Sequence, residues 1–79
     1  MEITVEKDDT GIDLVKLTKP NGQTRQIRAD QIYIRASDGA LMIRHGKDVV
    51  SCENAIPEIR VMIDAVPFIK KAREAGLIS

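Results

Sequence analysis

The stretch Gln23-Thr24-Arg25-Gln26-Ile27-Arg28-Ala29-Asp30-Gln31-Ile32-Tyr33-Ile34-Arg35-Ala36 decides how this chain folds. It is too long for one ordinary strand, which runs about 5–6 residues. Its apolar phase also changes. Ile27 and Ala29 are odd-numbered, whereas Ile32, Ile34 and Ala36 are even-numbered. Alternate strand residues point to opposite faces, so the phase cannot switch without an inserted residue. The sequence therefore predicts a bulge or bend near Asp30. Such a bend curls the sheet toward a partial barrel, or lets the chain leave one sheet for another.

Upstream of this stretch the pattern is that of strands. Ile3 and Val5 alternate with Glu2, Thr4 and Glu6, the period of a half-buried strand. Asp8-Asp9-Thr10-Gly11 reads as a turn. Residues 12–18 carry apolar side chains on both faces, as a central strand does. Lys19-Pro20-Asn21-Gly22 suits a three-residue hairpin loop. That loop would place Val15 opposite Ile27 and Thr18 opposite Thr24, apolar on apolar and hydroxyl on hydroxyl.

Downstream, Asp38-Gly39 between alternating segments predicts a two-residue type I′ hairpin. The register would then pair Ala36 with Leu41, Ile34 with Ile43, and Ile32 with His45. On the other face it would pair Arg35 with Met42 and Tyr33 with Arg44. Gly46-Lys47 can turn the chain again, giving a fifth strand around Asp48 to Cys52. From Ala55 the period becomes helical, with Asn54 as the expected N-cap and Ser51 and Glu53 as nearby competitors. Ile56, Ile59, Met62, Ile63 and Val66 form an apolar stripe. Pro67 interrupts it, so the helix is kinked there or broken into two short helices. Gly76 is a natural terminator, and Lys70, Lys71 and Arg73 suit the last turns.

The expectation is an α+β domain spanning residues 1–79. An antiparallel β-meander of four or five strands (1–53), bent near Asp30, is packed by a C-terminal helical segment (54–76) kinked or broken at Pro67. With one Phe, one Tyr and no Trp, the core must be aliphatic. Small domains without metals or disulfides often gain stability by associating.

Composition excludes several functions. No segment approaches the ~18 consecutive apolar residues of a membrane helix. Met1-Glu2 opens no signal peptide, so the expected location is cytoplasmic. One Cys and one His cannot supply a zinc site. Read on opposite ends of a hairpin, His45 and Cys52 are too far apart for a nucleophile–base pair. The glycines are scattered singly, so there is no phosphate-binding loop. The expectation is thus no enzyme, with no catalytic, cofactor or metal residues, no cofactor and no small-molecule substrate.

Twelve Lys and Arg balance twelve Asp and Glu, which argues against a generally cationic binder. The balance is not local. Glu2, Glu6, Asp8, Asp9 and Asp13 against Lys7 leave residues 1–13 at −4, whereas Lys16, Lys19, Arg25 and Arg28 bring residues 14–28 to +4. If strand pairing sets these blocks side by side, they neutralise each other.

Two functional readings follow. The first is a protein-interaction or assembly module that associates with itself or another protein. Its surface would be the apolar set after Pro67: Phe68, Ile69, Ala72, Leu77 and Ile78. The alternative is a nucleic-acid-binding face made of Arg25, Arg28, Tyr33, Arg35, Arg44 and Lys47, in which cations surround one aromatic ring.

Overall fold

The computed structural model describes residues 1–78. Three strands, β1 (Glu2–Lys7), β2 (Asp13–Thr18) and β3 (Thr24–Arg28), form an antiparallel sheet in that order. Val15 faces Ile27 and Thr18 faces Thr24, the register that the loop residues predict. The Lys19 N–H donates to the Gln23 carbonyl at 2.8 Å and closes the three-residue loop.

The chain does leave this sheet where the apolar phase changes. Ala29–Gln31 form a 3₁₀ turn rather than a bulge within one ladder. The strands that follow, β4 (Ile32–Ile34), β5 (Leu41–His45) and β6 (Asp48–Ser51), make a separate antiparallel sheet. The architecture is α+β, but the expected single meander is two three-stranded sheets. The turn ends one ladder and starts the next because its residues pair with no strand. The Gln31 side chain supplies the missing partner: its Oε1 accepts the Arg28 N–H at 2.7 Å.

The β4–β5 register corrects a second expectation. Ile32 faces Ile43, Tyr33 faces Met42 and Ile34 faces Leu41, two residues away from the predicted pairing. A type I′ turn requires positive φ at both Asp38 and Gly39. Gly39 has φ 73°, but Asp38 does not lie in that region. The loop instead has four residues. The Arg35 N–H donates to the Ala40 carbonyl at 2.8 Å, and the Gly39 N–H donates to the Arg35 carbonyl. The Asp38 carboxylate is engaged by the Arg35 guanidinium and the Ala40 N–H, which stabilise the longer loop. A two-residue slip leaves every side chain on its expected face, so the apolar pattern did not distinguish the two registers.

Gly46-Lys47 does form a two-residue loop, with His45 opposite Asp48. Gly46 has φ 63° and Lys47 does not share it, the pattern of a II′ turn. β6 ends at Ser51, and Cys52–Asn54 form a second 3₁₀ turn.

Asn54 is not the helix N-cap. Helix α1 (Pro57–Asp64) starts at Pro57, with Ile56 extended at ψ 151°. A residue before proline is pushed out of helical angles, and Pro suits the first helical position. Pro67 acts in the same way. Val66 is extended and α2 (Pro67–Glu74) begins anew, so the segment is two short helices. The Gly76 and Leu77 N–H groups then bond the Arg73 and Ala72 carbonyls, a Schellman C-cap.

One apolar cluster joins these elements. It contains Val15, Leu17 and Ile27 of the first sheet, Ile32 and Ile43 of the second, and Ile59, Met62, Ile63, Val66 and Ile69 of the helical segment. α1 lies across β2 and β3, whereas β5 of the second sheet meets the two 3₁₀ turns. No helix among the described residues is long and apolar enough to cross a membrane.

Candidate functional site

The basic candidates do not form one free face. Arg25 Nε lies 2.7 Å from Glu58 Oε2, and Lys19 Nζ lies 2.9 Å from Glu58 Oε1. Arg28 pairs with Asp8 at 3.2 Å and Asp30 at 3.3 Å. Arg35 pairs with Asp38 in its own loop. Lys16 meets Glu6 at 2.8 Å across β1 and β2, and Lys7 meets Asp13 at 3.0 Å. The acidic and basic blocks thus lie side by side in the first sheet and cancel there. Exposed pairs of this kind contribute little stability singly. Their effect here is to remove net positive charge from the surface.

What remains of the basic set is local. The Arg44 guanidinium sits 5.4 Å from the centre of the Tyr33 ring. The register slip makes them diagonal rather than directly opposed neighbours on one face, still within reach of long side chains. Among the described residues, neither Arg44 nor Lys47 is in an ion pair. Gln31 Nε2 donates to the Arg44 carbonyl at 2.9 Å and anchors β5 to the inter-sheet turn.

The apolar candidates divide as well. Ile69 is 0% exposed and belongs to the core, and Ile78 packs against it. Ala72 is half-buried. Phe68 and Leu77 remain open, at 41% and 78% exposure. Breaking the helix at Pro67 lets α2 turn Ile69 inward, so the set does not present one continuous surface.

Two features lie outside the candidates drawn from the sequence. The first is the exposure of Ile34, Val49 and Val50 on the second sheet. Val49 and Val50 lie on the edge strand β6 and Ile34 closes the short strand β4, so all three sit at the margin of the sheet. The second is a cleft of about 550 Å³ between the β4–β5 loop, the second 3₁₀ turn and the helices. Arg60, Asp64 and Arg73 line it with Ser51 and Cys52, and Arg73 pairs with Asp64 at 2.7 Å. These charges come from separate helices, so only the i, i+4 spacing of Arg60 and Asp64 hinted at them. Cys52 is buried, and burial pushes its thiol pKa up, away from nucleophilic thiolate chemistry. No three metal-ligating side chains gather among the described residues.

Several carboxylates are held below their ordinary range. The Arg35 side chain, then the Ala40 N–H, lower Asp38 to about 2. The Thr10 hydroxyl, then the Ile12 N–H, lower Asp8. Lys19, then Arg25, lower Glu58. A carboxylate whose folded pKa is depressed contributes stability above its unfolded pKa, and loses it as pH falls through the folded value. The expected result is stability that is retained down to about pH 4, the unfolded carboxylate range, and declines below it. Carbon NMR of Asp38 should show a midpoint near 2. A midpoint near the free value would show that the Arg35 contact is not kept in solution.

Compared with known proteins, the chain matches no family model, no curated protein and no solved structure.

Proposed function

We propose that this chain is a non-enzymatic protein-interaction or assembly module that associates with itself. The observation that carries this reading is the set of apolar side chains left open on the second sheet. Val49 and Val50, adjacent on strand β6, are 48% and 37% exposed, and Ile34 on β4 is 51% exposed. Scattered exposed apolar residues are ordinary. Adjacent β-branched residues on an edge strand combine unpaired backbone groups with apolar side chains, a template for another chain. Phe68 and Leu77 add exposed apolar area elsewhere. Sedimentation velocity from low to high micromolar concentration tests the reading. A rising weight-average mass is expected, and a strict monomer throughout rejects self-association.

A second reading, nucleic-acid binding, is favoured by the pair of half-buried Tyr33 and exposed Arg44. Stacked aromatics with cations are the usual platform for single strands. Fluorescence anisotropy with labelled single-stranded oligonucleotides at about 50 mM salt tests it where phosphate contacts are strongest. On this reading Tyr33→Ala and Arg44→Ala weaken binding, while Arg25→Ala, already neutralised by Glu58, changes it little. No binding at that salt rejects it.

A further inference from the structure

We propose that two copies of the chain join edge to edge through β6, antiparallel, about a two-fold axis at Val50. The inference rests on the self-association reading and names its surface. The product is one continuous six-stranded sheet.

β6 stands out among the sheet edges. β1 carries Glu2, Glu6 and Lys7, and β3 carries Arg25, Gln26 and Arg28, the polar protection usual for edges. β4 is three residues long. β6 reads Asp48-Val49-Val50-Ser51, with two exposed valines at its centre, one on each face, and no proline.

The hairpin geometry then selects the pairing. His45 and Asp48 flank a two-residue loop, so they form a hydrogen-bonded pair. Hydrogen-bonded and non-bonded pairs alternate along an antiparallel ladder. Asp48 and Val50 therefore turn their backbone groups toward β5, and Val49 and Ser51 turn theirs outward. A two-fold partner must meet these outward groups with its own, which puts Val49, Val50 or Ser51 on the axis. With Val49 on the axis, Asp48 faces Val50, a charge against an apolar side chain. With Ser51 on the axis, Val49 faces Glu53 and pairing must run into the Cys52–Asn54 turn. With Val50 on the axis, Val50 meets Val50, each Val49 meets a Ser51, and each Asp48 falls opposite a Cys52, where the strand has already given way to the turn. Just beyond, each Lys47 then lies opposite a Glu53. Among the described residues, neither Lys47 nor Glu53 has an ion-pair partner within its own chain. Only this register pairs both outward-facing residues of the strand, Val49 and Ser51, within β6, and it adds apolar contact at the axis and opposite charges at the ends.

The strand is short, so the interface falls below the roughly 1,200 Å² of stable complexes. The dimer is accordingly concentration-dependent.

Cross-linking tests it. Val50 pairs with itself as a non-bonded pair, with Cα atoms about 4.5 Å apart, inside the range of a disulfide. In a Cys52→Ala background, Val50→Cys should form a disulfide-linked dimer on mild oxidation. Val61→Cys, equally exposed on α1, should not. Lys47→Glu should weaken association roughly tenfold by putting like charges opposite each other. Adding Glu53→Lys should restore it. Circular dichroism confirms that each variant is folded. A dimer by sedimentation, with no cross-link at Val50 and no rescue by the charge swap, overturns the β6 surface but not self-association. A monomer at every concentration overturns both.

Discussion

Ile69→Ala is expected to remove about 2–5 kcal/mol of folding stability, the usual cost of truncating a fully buried aliphatic side chain. Ile69 has no exposure and packs with Val66, Met62 and Ile63 in the cluster that joins the helices to both sheets. The loss has two parts: the transfer free energy of the deleted methylenes and the cavity left behind. Small domains hold only about 5–15 kcal/mol in total, so this one change removes a substantial share of it. Leu77→Ala, at a position 78% exposed, should stay within about 0.5 kcal/mol of the parent. Urea denaturation checks both. The Ile69→Ala midpoint should fall with little change in slope. A cost below about 1 kcal/mol, far under the buried-aliphatic range, would mean that α2 does not dock as the structure shows. The contrast also bears on function. Reduced binding by Ile69→Ala reports a weakened fold, whereas reduced binding by Leu77→Ala or Phe68→Ala with intact stability reports a contact.

The break between the sheets was legible because Ile27 and Ile32 fall out of phase. Its form was not, since a bulge and a 3₁₀ turn both insert residues and give the same phase change. The β2–β3 register was legible because Val15 with Ile27 and Thr18 with Thr24 agree with the loop length. The β4–β5 register was not. The Asp-Gly pair matches a type I′ turn locally, but Arg35 engages Asp38 and stabilises a longer loop. Pro57 and Pro67 obey one rule: each opens a helix and holds the residue before it extended. The charge blocks showed that neutralisation was available. They could not show that Glu58 of α1 would reach Lys19 and Arg25, a contact between distant parts of the chain that only packing of α1 on the first sheet creates. On one continuous helix the set of Phe68, Ile69 and Ala72 centres away from the stripe of Ile59, Met62, Ile63 and Val66. With α2 starting afresh at Pro67, that reference no longer holds.

Gln31→Glu is expected to destabilise the protein at neutral pH by about 0.5–1.5 kcal/mol, the net worth of one hydrogen bond. It does so although the shape is unchanged. Gln31 sits where the first sheet ends, and one side-chain amide serves both sheets. Its oxygen accepts the Arg28 N–H at 2.7 Å, and its nitrogen donates to the Arg44 carbonyl at 2.9 Å. An ionised Glu keeps the first bond and can strengthen it, because a charged acceptor is the better one. It loses the second outright, since a carboxylate has no donor. It also places an oxygen against the Arg44 carbonyl oxygen, where the two repel. Gln31→Ala loses both bonds but lets water reach each group, so it should cost less than the second loss with repulsion added. The order of stability is therefore Gln, then Ala, then Glu at neutral pH. Protonating the carboxyl restores a donor, so the Glu variant should recover toward the parent as pH falls through its titration, against the general acid loss set by Asp8, Asp38 and Glu58. Urea midpoints for the three proteins at neutral pH and near pH 4, roughly the carboxyl range, decide the matter. Ala below Glu at neutral pH would show that the Arg28 bond dominates the junction. Equal stability of all three would show that the sheets are held together by Ile32 and Ile43 in the core, without the amide between them.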